Sequence, residues 1–285
     1  MSANRTASDS RARNPVEPFL RWAGGKRSLL KYFRQFFPPD IHERPYVEPF
    51  LGAGSVFFAL RPNIAVLADS NKHLIECYEF VQDCPELVAD YLRDHRKKNC
   101  EDYYYHIRDV YNRSKPSAAQ AARFIYLNKA CFNGIFRVNL KGEFNVPYGR
   151  KEPPYLPDRD WLRQVGAALE NAIISPAPFE ETLESVTGDD FIYLDPPYPP
   201  LNNTSNFTRY TKDQFSIADQ KRLAEIVYEL DARGCLVMMS NADVPLINEL
   251  YEKFDRFSLP VTRWITCKSI KHQVNELIIT NYEVE

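Results

Sequence analysis

The sequence predicts an α/β fold interrupted by a mostly helical insert, and three observations carry that prediction. An apolar run, a glycine loop, an apolar helix start and a second apolar run ending in an acid follow one another between Tyr46 and Asp69. The alternation of short apolar runs with amphipathic stretches resumes after residue 166. Between these parts, residues 85–165 read as helices and then as an irregular segment with Gly, Asn, Pro and aromatic residues. Strand, glycine loop, helix, strand and acid in that order form the front half of a nucleotide-binding α/β unit.

In chain order, residues 1–15 are rich in Ser, Arg and Asn and read as a mobile tail. Tyr46–Phe50 is the first strand candidate and runs into Leu51-Gly52-Ala53-Gly54, with a helix start at Ser55–Leu60. Ile64–Ala68 is the second strand, ended by Asp69. Leu74, Ile75, Tyr78 and Val81 recur near helical spacing. Residues 85–131 look helical, with Leu87, Tyr91 and Leu92 on one stripe and Phe124, Ile125 and Leu127 on another. Residues 132–157 read as loops with a hairpin around Lys141-Gly142. A helix near Trp161–Leu169 and strands at Ala172–Ile174 and Phe191–Leu194 follow. Then come an amphipathic helix over Asp219–Leu230, a buried strand at Cys235–Met239 and a last strand at Val274–Thr280. The expected division is a domain of residues 16–84 with 166–285, and an insert of residues 85–165.

Composition narrows the function classes. The chain has 285 residues, 44% hydrophobic and 26% charged, enough for a sizeable core under a hydrated surface. No run approaches the roughly 18 apolar residues of a membrane span, and the first 15 residues carry no apolar signal core. The cysteines at 77, 84, 100, 131, 235 and 267 form no C-x-x-C pair, and the five histidines are scattered. The expectations are no metal, no disulfide framework and a reducing cytoplasm. A net charge of −2 argues against a nucleic-acid partner only as a sum. Residues 85–163 hold 15 Lys and Arg to 10 Asp and Glu, and Arg123–Lys151 holds six basic residues to the single acid Glu143. Such a patch on an acidic body can attract phosphate, although a solvated helix face gives a similar count.

Three motifs carry chemistry. The glycines of Val47-Glu48-Pro49-Phe50-Leu51-Gly52-Ala53-Gly54 allow a tight turn close to a ligand. The third glycine of the dinucleotide fingerprint is missing, so a smaller group than a pyrophosphate is expected. Asp69 is spaced to accept hydrogen bonds from ribose hydroxyls. Phe19-Leu20-Arg21-Trp22-Ala23-Gly24-Gly25-Lys26 suggests a phosphate loop but lacks its spacing and a Ser or Thr after Lys26; a turn before a helix is the plainer reading. Phe191-Ile192-Tyr193-Leu194-Asp195-Pro196-Pro197-Tyr198 is the most informative segment. A buried strand ends there in an acid, and the two prolines remove two backbone donors. A carboxylate beside a carbonyl suits an exocyclic amino group with its two N–H donors, and Tyr198 offers a flat face for a base.

With Arg-Trp-Ala-Gly-Gly-Lys, Glu-Pro-Phe-Leu-Gly-Ala-Gly-Ser and Asp-Pro-Pro-Tyr in this order, the chain resembles the Dam-type DNA adenine-N6 methyltransferases that use S-adenosylmethionine. Supporting segments are Leu127–Arg150, Asn206-Phe207-Thr208-Arg209-Tyr210 and Met239-Ser240-Asn241, and the resemblance covers roughly Phe19 to Tyr282. It implies a Rossmann-like methyltransferase sheet with an inserted, mostly helical DNA-recognition domain. Asp195, Pro196, Pro197 and Tyr198 would be the catalytic turn. Trp22, Lys26, Phe50, Gly52, Gly54, Ser55, Asp69, Phe179 and Asp195 would surround the cofactor, and S-adenosylhomocysteine would be the product. Pro178 stands where many relatives carry Asp. On double-stranded DNA, Phe132 would fill the gap left by a flipped base, and Arg137 would read guanine. Asn133, Ile135 and Pro147 would touch neighbouring bases, while Asn139, Asn145, Arg150 and Lys151 would hold phosphates. GATC is the expected site and a monomer or weak dimer the expected state. The rival readings are the same chemistry on another sequence or on cytosine N4, a non-catalytic SAM- and DNA-binding regulator, and a nucleotide hydrolase using Gly24-Gly25-Lys26.

Overall fold

The computed structural model describes residues 15–150, 154–199, 215–264 and 271–284. Side chains of residues 261–264 and 271–274 are outside the description, as are Lys151 and Asn206–Tyr210, named above.

Seven strands form one sheet among the described residues: β1 Tyr46–Glu48, β2 Ala65–Ala68, β3 Ala172–Ser175, β4 Phe191–Leu194, β5 Leu236–Ala242, β6 Asp255–Trp264 and β7 Lys271–Thr280. Their order is β3-β2-β1-β4-β5-β7-β6. The first five are parallel, and β7 runs antiparallel between β5 and β6. The α/β expectation holds: the parallel strands form an open Rossmann-like sheet with apolar clusters on both faces. β1 and β4 are buried throughout, as expected for central strands covered on both faces.

The helices are α1 Leu30–Phe33, α2 Ser55–Leu60, α3 Lys72–Asp83, α4 Pro85–Lys98, α5 Glu101–Arg113, α6 Ala118–Ala130, α7 Arg159–Leu169, α8 Phe179–Glu184, α9 Ile217–Ala232 and α10 Pro245–Leu250. None is long and apolar enough to cross a membrane. Side-chain alternation sorts the core into two layers. Tyr46, Phe191, Tyr193 and Met238 face one apolar cluster, which continues through α3 into α4, α6 and α7. Val47, Ile192, Leu194, Val237 and Met239 face the other, shared with α8, α9 and α10.

Local chemistry sets the ends of these elements. Asn71 caps α3 by accepting the Leu74 N–H at 3.3 Å, and Ser117 caps α6 through the Gln120 N–H at 3.2 Å. Proline begins α4 and α10, where a missing N–H costs nothing. Its alanines let α6 pack among α3, α4 and α5, and almost its whole surface is buried.

Several element boundaries differ from the sequence expectation by a few residues, and one strand was not anticipated. The first strand stops at Glu48 because Pro49 cannot donate to the ladder. The strand β6 was not expected: Asp255-Arg-Phe-Ser-Leu-Pro-Val-Thr-Arg-Trp contains a proline and five charged or hydroxyl residues before its last position, a composition tolerated at a sheet edge. It pairs along its whole length with β7, which begins three residues before the expected Val274.

The strand order positions the site. From β1 the chain crosses to β2 on one side, while β4 lies on the other. The sheet therefore changes direction between β1 and β4, and ligands of open α/β sheets enter at the carboxyl ends of strands at such a point. The glycine loop leaves β1 there, and Asp195 follows β4 directly.

Candidate functional site

A cleft of about 800 Å³ opens at that switch point. Trp22, Lys26, Phe50, Gly52, Gly54, Ser55, Asp69, Phe179 and the four residues Asp195–Tyr198 all border it. Segments far apart in sequence thus meet on one cavity.

The glycine loop is held from two sides. The Asp69 carboxylate accepts the Gly52 N–H at 3.0 Å and the Asn71 N–H at 2.9 Å. The Tyr78 hydroxyl donates to the Gly52 carbonyl at 3.1 Å. Gly52 has φ +48°, and a Cβ there would lie 2.8 Å from Trp22 Cδ1, so the loop and the indole need glycine. Burial raises the Asp69 pKa against these two N–H bonds. On the same cleft Phe50 stacks on Phe179 with centroids 5.5 Å apart, and Phe215 packs against both. Phe215 was not among the expected residues. A flat apolar wall, a carboxylate and a glycine cradle on one cavity suit a nucleoside-bearing cofactor.

Asp195 also lines this cleft. It keeps 20% of its side-chain surface open. Lys26 Nζ stands 2.6 Å from both of its oxygens, and the Ser240 hydroxyl donates to Oδ1 at 3.0 Å. The Tyr193 hydroxyl is 2.8 Å from Ser240 Oγ. Burial raises the Asp195 pKa, and the Lys26 ammonium opposes that shift. Lys26 was expected against the cofactor; in the structure it borders the cleft but holds the carboxylate, with a third bond to the Gly24 carbonyl at 2.7 Å. Gly24-Gly25-Lys26 opens no long helix, since α1 has four residues and starts at Leu30, so a phosphate loop is not formed there.

The turn is braced from behind. Gln220, fully buried on α9, donates to the Pro197 carbonyl at 2.8 Å. The Tyr198 hydroxyl donates to Glu276, a buried carboxylate on β7 that also lies 3.6 Å from Lys26 Nζ. Glu276 and Gln220 were missed by sequence reasoning. The signal for Glu276 was an acid beside the apolar run Leu277-Ile278-Ile279; Gln220 on a helix gave none.

Glu48 also borders the cleft, 2% exposed, and accepts a bond from the Tyr46 hydroxyl at 2.8 Å. Burial, opposed by that bond and aided by the Asp195 charge, raises its pKa to about 8. The unfolded carboxyl ionises near 4.5, so between these values the folded state binds more protons. The stabilisation is complete below the unfolded pKa and is lost as pH rises through the folded one. Urea midpoints of the wild type should therefore fall between about pH 5 and pH 8, and Glu48→Gln should flatten that slope. Equal slopes in the two proteins would remove Glu48 as the cause.

The expected DNA residues lie outside the cleft lining, on residues 132–150. Phe132 is 43% exposed in a 3-10 turn, and its N–H donates to the Pro147 carbonyl at 2.9 Å. Pro147 and Asn133 are exposed and Ile135 is half-buried. Arg137 is exposed, with Nε donating to Asn145 Oδ1 at 2.7 Å and a second bond to the Asn145 carbonyl at 3.2 Å. Asn139 caps its own hairpin: Oδ1 accepts the Lys141 and Glu143 N–H groups, and Nδ2 donates to Glu143. Arg150 is exposed and stands 3.9 Å from Glu101. This segment and the end of α6 before it both reach the segment carrying Trp22. Phe136 stacks on Trp22 with centroids 5.8 Å apart. Asn128, 2% exposed at the end of α6, accepts the Arg21 N–H and donates to the Arg21 carbonyl, both at 2.8 Å.

The family described as D12 class N6 adenine-specific DNA methyltransferase matches residues 22–266. Among curated relatives, the type II methyltransferase M.MjaIII of Methanocaldococcus jannaschii is 40% identical over 287 residues, with 94% of this chain and 99% of the relative covered. The type II methyltransferase M1.LlaDCHI of Lactococcus lactis subsp. cremoris is 38% identical over 274 residues, covering 94% and 96%. A DNA adenine methylase of Escherichia coli strain K12 is 36% identical over 269 residues, covering 91% and 93%.

Proposed function

This chain belongs to the D12 class N6 adenine-specific DNA methyltransferase family, and we propose that it methylates adenine N6 in duplex DNA at GATC, with S-adenosylmethionine as donor and the base flipped into the cleft. The observation that carries this reading is the meeting of Asp195 and the glycine cradle on one cleft at the sheet's switch point. Residues 16–84 with 166–285 would carry the chemistry and residues 85–165 the target. A monomer or weak dimer acting in the cytoplasm fits this reading.

The residues present fit the cofactor. Gly52 and Gly54 would admit its methionine part, with Trp22, Lys26 and Ser55 beside it. Asp69 would accept from the ribose, and Phe50 and Phe179 would enclose the adenine. When bound, S-adenosylmethionine supplies a methyl carbon activated by a sulfonium. The chain's own task is the nucleophile. Adenine N6 is weak because its lone pair is delocalised into the ring. The Asp195 carboxylate and the Pro196 carbonyl would accept its two hydrogens and favour a pyramidal nitrogen. Those bonds strengthen as positive charge grows on N6, so they act on the transition state. The Asp195 carboxylate and the Pro196 carbonyl would hold N6 while the cofactor supplies the methyl group together with its leaving group, and N6 would afterwards lose one proton to solvent. Pro197 stiffens the turn, and the Tyr198 ring gives the extruded base a face to stack on.

The exposed segment carrying Phe132, Asn133, Ile135, Arg137 and Pro147 is suited to base contacts, with Asn139, Asn145, Arg150 and Lys151 on phosphates. Arg137 supports GATC because a guanidinium matches guanine O6 and N7. Duplexes differing at one base pair test the site: equal rates on GATC and on variants of its first G would refute it. Arg137→Ala should lower discrimination at the guanine it reads by about 1–3 kcal/mol; unchanged selectivity would remove Arg137 as the reader.

A further inference from the structure

We propose that Glu276 is a positioning residue that offers Lys26 a second seat, so that base entry frees Asp195 by passing the ammonium from one carboxylate to the other. The inference rests on the reading of Asp195 as acceptor of the amino hydrogens.

Three observations lead to it. First, Lys26 occupies both Asp195 oxygens at 2.6 Å. An ammonium there weakens the carboxylate as an acceptor and repels the positive charge that grows on N6 during transfer. A productive complex needs that charge elsewhere. Second, leaving the ammonium without a carboxylate would be costly, because Lys26 is only 4% exposed. Third, Glu276 already stands 3.6 Å from Lys26 Nζ with its own side chain 1% exposed. A shift of about 0.8 Å closes that gap to hydrogen-bond length, and the amino group entering between Asp195 and the ammonium completes the separation. The Gly24 carbonyl can pivot the ammonium through the exchange.

Glu276 on β7 sits among apolar cross-strand neighbours, Ala242 and Leu259, and a buried ionic group is commonly matched or surpassed in stability by an apolar one of similar volume. The Tyr198 hydroxyl donates to the same carboxylate, and Lys26 Nζ lies 4.9 Å from the Tyr198 ring centroid. The seat is therefore adjacent to the ring proposed to stack on the base. Arrival of the base and movement of the ammonium occur within one group of contacting side chains.

A double-mutant cycle tests this. The full chain is compared as wild type, Glu276→Gln, Lys26→Met and the double variant. One readout is single-turnover methyl transfer. The second is binding, by fluorescence anisotropy with S-adenosylhomocysteine present, of two duplexes that differ only in the 6-amino group of the target base. Glu276→Gln keeps an oxygen for Tyr198 and removes the charge. It should slow transfer about tenfold or more and erase the preference for the amino-bearing duplex, while in the Lys26→Met background it adds less than about twofold. A purely structural role would give the same loss in both backgrounds, and that result overturns the proposal, as does a wild-type rate for Glu276→Gln. If Glu276→Gln does not fold, Glu276→Asp, which retracts the carboxylate by one methylene, is put through the same cycle with the same expected dependence on Lys26. If the wild type transfers no methyl group to adenine DNA, the functional reading itself falls, and the inference with it.

Discussion

Asp195→Ala is expected to slow methyl transfer by about 10²–10³-fold or more while leaving S-adenosylmethionine affinity within about twofold. The carboxylate is the anionic acceptor at the end of β4, and alanine leaves N6 with only a carbonyl to favour its pyramidal form. The rest of the turn should persist. Gln220 still holds the Pro197 carbonyl, and Tyr198 still donates to Glu276. Nor does the change strand a buried cation, because Lys26 keeps the Gly24 carbonyl and the neighbouring Glu276. The glycine loop and the phenylalanine wall touch Asp195 in none of their bonds described above. Single-turnover transfer with isothermal titration of the cofactor separates the two effects. Turnover within tenfold of wild type would contradict the role of Asp195.

The second large effect is expected at a residue far from the chemistry. Asn128 satisfies both the N–H and the carbonyl of Arg21, and so fixes the backbone next to Trp22. Asn128→Leu keeps the volume and leaves both groups unpaired, at a cost of about 2–4 kcal/mol in unfolding free energy. Trp22 is in van der Waals reach of Gly52 and stacks on Phe136, so releasing its backbone loosens the cleft wall and the recognition segment together. Cofactor affinity should fall about tenfold, in line with the loss of a preorganised wall. Urea unfolding and calorimetric titration read the two consequences. A variant with normal cofactor affinity would show that the Asn128 clamp serves stability alone.

Particular residues show how much could be read from the chain. Phe191–Leu194 announced a central strand because four consecutive apolar residues end at an acid and two prolines, and the strand is there. Asp255–Trp264 did not announce itself: an edge strand pairs on one side, so its composition need not be apolar. The same contrast runs through the cleft. Trp22, Gly52, Asp69 and Asp195 stood in recognisable local patterns, and the fold gathers them around one cavity. Glu276, Gln220 and Ser240 reach the turn, and Phe215 reaches the Phe50–Phe179 wall, across 20 or more residues of sequence, and no local spacing announces those contacts.

The sequence by itself determined the α/β alternation, the glycine loop and the carboxylate placed at a strand end, because each depends on side-chain periodicity or on turn chemistry within a few neighbouring residues. Only the tertiary structure decided that Lys26 rests on Asp195, that Glu276 waits 3.6 Å beyond it, and that Asn128 ties the recognition segment to the cleft wall. Those are contacts between residues more than 100 positions apart. They exist because strand order and helix packing bring the segments together, and the free energy of a buried charge or an unpaired backbone group depends on what surrounds it.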